Sequence, residues 1–282
     1  MTGRALQVVG AIFKHVGIGL AVTVGIAIPW SAIAVINLRF SPHVPWAIPV
    51  GVAYVCLAMS YLNGGGWPKS TSAARKRNFR AQPLVLVGFS WALLAGLAAV
   101  TSLWLCFAAS GNLSAQAPQG SQPDWPPIVL LGAVIISAAV TAISEEGGLR
   151  GFMQAPLEGL LGPAPAIATT SLLFVLIHLS HGVTALARYG LFYLAAGCVY
   201  GLLAYLTQSI LPSLLLHFLG DIITFGLRSA LVHLSGPHNA SARALLVLAA
   251  LFVACFSGVA FLRLARLTIG KRSRLRTETA PD

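Results

Sequence analysis

The sequence predicts an all-α fold: a polytopic membrane helix bundle of about eight transmembrane helices. Three observations predict it. Hydrophobic residues make up 57% of the 282 and charged residues only 9%, where a soluble domain carries about 25% charged residues. Too little charge is present to give a globule a polar surface, so lipid is the solvent for what remains outside. The apolar residues fall into runs close to the roughly 20 residues a membrane helix needs. The basic residues sit between and beyond those runs, where juxtamembrane charge belongs.

Taken in order, the spans fall near 16–38, 45–63, 83–108, 128–158, 164–181, 187–207, 210–230 and 242–264. The first follows Arg4 and Lys14 and contains Ala32-Ile33-Ala34, which faintly resembles a signal cleavage site. Its apolar run is longer than a signal h-region, so it reads as an uncleaved span. Prolines and glycines punctuate the junctions: Pro42 and Pro45, Gly64-Gly65-Gly66, Pro126-Pro127, Gly162-Pro163, Pro212 and Gly236-Pro237. The chain thus divides into N-terminal transmembrane helices (1–110), a central unit (125–230), and a last helix with a basic cytoplasmic tail (240–282). No internal repeat stands out.

The net charge of +11 comes from 18 Lys and Arg against 7 Asp and Glu. Because these cations flank apolar runs, they predict a lipid bilayer as partner and no nucleic acid. Lys69, Arg75, Lys76, Arg77 and Arg80 cluster after the second span, and Lys271, Arg272, Arg274 and Arg276 after the last. The loop 110–127 holds no Lys or Arg. The positive-inside rule then puts both termini in the cytoplasm. The Ala-, Gly- and Arg-rich composition points to a bacterial inner membrane. Cys56, Cys106, Cys198 and Cys255 each stand alone in an apolar stretch, which predicts neither a disulfide framework nor a thiolate metal site.

Charge inside the spans is the informative exception. Glu145, Glu146 and Asp221 lie in apolar runs, as do Arg150, His178 and His217. An ionised side chain at the bilayer centre costs roughly 2.5–3.5 kcal/mol on insertion scales, and such residues usually face the bundle interior. Glu146 and Arg150 are i and i+4 and share a helix face, whereas Glu145 is turned about 100° away. Phe174 and His178, and His217 and Asp221, repeat the i, i+4 spacing on two further spans. Glu145 lies 17 residues before Gly162 and His178 lies 16 after it. A helical hairpin turning there brings both to one depth, about 25 Å from the turn. Gly147 and Gly148 permit close approach either of a neighbouring helix or of a bound peptide. The remaining ionisable groups have plainer readings. His15, His43, His181, His233 and His238 fall at span ends or loops, Glu158 at a solvated turn, and Arg188 and Arg228 where they can snorkel.

Glu145-Glu146-Gly147-Gly148-Leu149-Arg150 reads as EExxxR, Phe174 to His178 as FxxxH, and His217 to Asp221 as HxxxD, close to the more common HxxxN. In this order on successive apolar spans, the three motifs resemble the CPBP family, which comprises the CAAX proteases and bacteriocin-processing enzymes and is also called the Abi family. The resemblance covers roughly 125–225, and Gly147, Gly148 and Asp221 depart from the usual pattern. It implies an intramembrane endopeptidase acting on a membrane protein or peptide. Carried over, Glu145 is the general base and His178 helps orient the attacking water. His217 and Asp221 serve the oxyanion, with Asp221 orienting His217. Glu146, Arg150 and Phe174 are supporting residues. The resemblance favours a glutamate-type reaction without a cofactor. The alternative is zinc held by Glu145, His178, His217 and Asp221, four oxygen and nitrogen ligands of the right types. Two other classes carry buried carboxylates and histidines: a proton-relaying transporter and a non-proteolytic membrane protein that binds a partner.

Overall fold

The computed structural model describes residues 3–110, 125–226 and 240–278. All secondary structure among them is helical. In chain order the α-helices are α1 (Gly3–Phe40), α2 (Ala47–Leu62), α3 (Ser72–Phe79), α4 (Leu86–Ala109), α5 (Pro127–Glu145), α6 (Ala155–Leu161), α7 (Pro163–Ile177), α8 (Val183–Thr207), α9 (Leu211–Gly226) and α10 (Ala240–Glu278). A π-helical segment, Glu146–Gln154, joins α5 to α6, and a short 3-10 turn, His178–His181, follows α7.

Six helices are long and apolar enough to cross a membrane, counting α5 through α6 as one run of 35 residues. Two shorter apolar helices, Ala47–Leu62 and Leu211–Thr224, lie where two further spans were expected. The chain is thus a polytopic membrane protein. Large apolar side chains are correspondingly bare on the outside: Phe13, Leu191 and Phe252 are each more than 70% exposed, a disposition that lipid satisfies and water does not. Positions 228, 233 and 238, part of the loop 110–127 and the last four residues lie outside the described residues.

The core is the hairpin of α5 to α6 with α7, continued by α8 and α9. Gly162 makes the hairpin turn at φ +85°, where a side chain would be strained, and Pro163 opens α7. Gly182 ends the 3-10 turn at φ +94° and releases the chain into α8. Helices α1 to α3 pack on one flank, against α5 and the π-helical segment, and α4 and α10 pack on the other, against α8 and α9. Ile26, Trp30, Phe79, Ile136 and Ile143 knit the first flank to the core. Leu203, Leu216 and Leu264 knit the second, helped by hydrogen bonds from Ser102 to the Ala250 carbonyl and from Ser257 to the Ala95 carbonyl.

The π-helical segment has a local cause. Gly147, Gly148 and Gly151 each lower helix preference by about 1 kcal/mol relative to Ala, and each is closely packed. A Cβ at Gly148 would overlap Thr23 Oγ1 and lie 2.6 Å from the Gly19 carbonyl oxygen. At Gly147 it would meet the Phe79 ring, and at Gly151 the Asn78 carbonyl oxygen. Of the two readings of these glycines, the structure therefore supports helix packing: they admit α1 and the end of α3.

One other expectation changes. Glu158 is not solvated: its side chain is 11% exposed and accepts from Arg80 Nη2 at 3.1 Å and from Gln154 Nε2 at 2.9 Å. Within the basic cluster after the second span, Arg75 donates to the carbonyls of Tyr61, Gly65 and Pro68, and Arg80 binds Glu158 and Gln208. The hairpin closes against the loop beyond α3, where Arg80 meets Glu158.

Candidate active site

The motif residues come together from four helices. Glu145 ends α5, Glu146 and Arg150 lie in the π-helical segment, Phe174 is in α7 with His178 capping it, and His217 and Asp221 share a face of α9. A cavity of about 600 Å³ opens between α4, α5, α7, α8 and α9. Glu145, Phe174, His178, His217 and Asp221 all line it. The hairpin that turns at Gly162 brings Glu145 and His178 to the wall of one cavity.

The adjacent glutamates part company. Glu146 does not line the cavity. It is fully buried behind it, with Oε1 3.3 Å from Arg150 Nη1 and 3.0 Å from His217 Nδ1. Arg150 is fully buried too; Nη2 donates to the Gly197 carbonyl at 3.2 Å, and its guanidinium lies 4.7 Å above the Phe174 ring. Two charges this deep persist because they pair, hydrogen-bond and stack on an aromatic face. Glu145 keeps 13% of its side chain exposed, and its Oε2 has no hydrogen-bond partner.

The histidine hydrogen bonds fix the chemistry available at each ring. His178 Nδ1 lies 2.7 Å from the Phe174 carbonyl oxygen, which can only accept. Nδ1 therefore carries the proton, and Nε2 of the neutral ring is left as an acceptor. His217 Nδ1 donates to Glu146 in the same way. Its Nε2 lies 3.7 Å from Asp221 Oδ2 and 3.9 Å from Glu145 Oε2, both beyond hydrogen-bond length. That nitrogen donates only when the ring is cationic. No hydrogen bond or ion pair joins His178 directly to Glu145 among the described residues; they share the cavity wall.

Among the described residues, no group of three or more His, Cys, Asp or Glu side chains is disposed to hold a metal ion. His178 and His217 each use Nδ1 in a hydrogen bond, which leaves Nε2 as the one ring nitrogen either could offer a cation. Glu145 Oε2 and Asp221 Oδ2 lie 3.9 and 3.7 Å from His217 Nε2.

Residues 126–223 match the model of a family described as Rce1-like, type II CAAX prenyl endopeptidase Rce1-like. That family is the CPBP family. The matched segment begins with α5 and ends two residues past Asp221, so it holds every motif residue and none of α1 to α4. The match supports an intramembrane protease of the CAAX type in general terms. No curated protein and no solved structure matches the chain.

The sequence reading missed the aromatic part of the cavity. Trp104 and Phe107 reach it from α4, and Tyr189, Phe192, Tyr193 and Tyr200 from α8. The spacing of Tyr189, Tyr193 and Tyr200, which puts them on one helical face, was the available signal. His181 and Arg188, expected at span ends, also line the cavity.

Proposed function

We propose that this protein is an intramembrane endopeptidase that hydrolyses a peptide bond of a membrane protein or membrane-associated peptide. The observation that carries the reading is the division of labour within the EExxxR motif: Glu145 faces the cavity beside His178, His217 and Asp221, while Glu146 is withdrawn to pair with Arg150 and His217.

In this reading Glu145 is the general base. It takes a proton from water as the water oxygen bonds to the scissile carbonyl carbon, and delivers that proton to the amide nitrogen as the C–N bond breaks. His178 Nε2, kept an acceptor by the bond from Nδ1 to Phe174, orients the same water. His217, held through Nδ1 by Glu146, presents a cationic Nε2–H to the developing oxyanion. Asp221 orients that ring from one turn along α9 and donates nothing while ionised. Phe174 holds His178 by its carbonyl and shields Arg150 with its ring. No step uses a metal. The chain sits in a membrane, proposed to be the bacterial inner membrane, with both termini in the cytoplasm. The central unit 125–230 carries the chemistry, flanked by 1–110 and 240–282.

The test is cleavage of a membrane-tethered peptide library by purified protein, wild type beside Glu145→Gln, with and without a strong chelator. The expected result is cleavage by the wild type in both conditions and none by the variant. Loss on chelation turns the mechanism to the metal type. No cleavage by folded wild type across a broad library overturns the protease reading in favour of transport or partner binding.

A further inference from the structure

Beyond the motif residues, two tyrosines of α8 stand against the two site histidines. The Tyr193 ring is stacked on His178, with centroids 3.9 Å apart and planes 29° apart. The Tyr200 ring is stacked on His217 at 5.3 Å and 16°. Seven residues apart, the two share one face of α8, and both line the cavity.

Among the described residues, each histidine is hydrogen-bonded along one edge. His178 sits in a short 3-10 turn and donates from Nδ1 to the carbonyl four residues back, which leaves the plane of the ring to be set by its packing. Tyr193 covers a face of the ring, while Phe174 meets it edge-on at 4.7 Å and His181 at 5.4 Å. His217 is pinned at Nδ1 by Glu146 and faced by Tyr200, which also meets Phe174 edge-on at 6.4 Å and lies 5.7 Å from the Arg150 guanidinium. Stacked and edge-on aromatic pairs add about 0.5–1.5 kcal/mol beyond their buried area, enough to select one ring orientation.

We propose that Tyr193 and Tyr200 are positioning residues, a paired aromatic rail on α8 that sets the ring planes of His178 and His217 and so aims their Nε2 atoms into the cavity. The catalytic half of this inference rests on the protease reading above; the ring-positioning half does not. The rail acts through ring faces, which Phe keeps.

The experiment compares Tyr193→Leu with Tyr193→Phe in the full-length protein, and repeats the pair at Tyr200. Two quantities are read: the rate of His178 modification by diethyl pyrocarbonate, which acylates a neutral imidazole nitrogen, mapped by mass spectrometry, and, at both tyrosines, kcat and KM on any peptide the wild type cleaves. The Leu variants are expected to reduce kcat on the order of 10- to 100-fold, the scale of a roughly 1 Å misplacement, with KM little changed, and Tyr193→Leu to speed His178 modification several-fold. The Phe variants are expected to restore both quantities. A Tyr193→Leu variant that melts with the wild type and shows unchanged His178 modification overturns the rail. Phe variants as impaired as Leu overturn it as well, because the hydroxyl is then the active part. If the wild type cleaves nothing, the protease reading fails on its own and the modification rates still decide the ring-positioning claim.

Discussion

Glu145 and Glu146 are chemically identical neighbours in opposite situations. Glu145 lines the cavity with its side chain 13% exposed, whereas Glu146 is fully buried behind it with Arg150 and His217. Substitution should therefore separate activity from stability. Glu145→Gln is expected to lower cleavage by about 10²–10⁴-fold, the usual contribution of a general base, with the melting temperature in detergent almost unmoved. Glu146→Gln strands the buried Arg150 charge and is expected to cost about 3–5 kcal/mol, read by denaturant unfolding. At Asp221 the expectation follows from its position 3.7 Å from His217 Nε2. An amide can orient that ring as well as a carboxylate can, so Asp221→Asn should keep substantial cleavage. A folded, inactive Asp221→Asn would assign the carboxylate a direct part in the chemistry.

Among the elements, the π-helical segment decides most. Its hydrogen bonds reach one residue further than those of an α-helix, and such segments are frequent at functional sites. Here the wider turn lies immediately after Glu145 and is seated by glycines on α1 and α3. A methyl group at Gly148 has no room beside Thr23 and the Gly19 carbonyl. Gly148→Ala is expected to destabilise by about 1–3 kcal/mol, as overpacking does, measured as a lower unfolding midpoint. Cleavage should fall further than stability explains, because α1 can yield only by shifting the segment that carries Glu146. A variant with wild-type midpoint and rate would show that the contact is loose.

At the scale of the molecule, the open question is which helices cross. With 16 residues α2 spans about 24 Å at 1.5 Å per residue, short of a hydrocarbon core of about 30 Å. Counting α2 and α9 as crossings gives eight, and omitting both gives six. Either number puts the termini on one side, but only a crossing α2 puts the loop after α4 on the other. In a chain freed of its four cysteines, Gly3→Cys and Ala280→Cys are expected to react with an impermeant thiol reagent from the cytoplasmic side. Ser114→Cys is expected to react from the opposite side. Labelling of all three from one side would remove α2 from the count of spans.

The sequence by itself determined the solvent, the helical class and the helices that hold the candidate site residues. Low charge and long apolar runs leave no other way to satisfy the backbone in lipid, and intramembrane charge at i, i+4 spacing is conspicuous without coordinates. It also placed Glu145 and His178 on the two arms of one hairpin, because Gly162 marks the turn. The tertiary structure decided which partner each group meets. That Glu146 binds His217 as well as Arg150, that Glu158 is buried against Arg80, and that Tyr193 and Tyr200 face the histidines are contacts between segments distant in sequence. Helical periodicity assigns a residue to a face; what stands opposite that face is set by how the helices pack, and no local pattern encodes it.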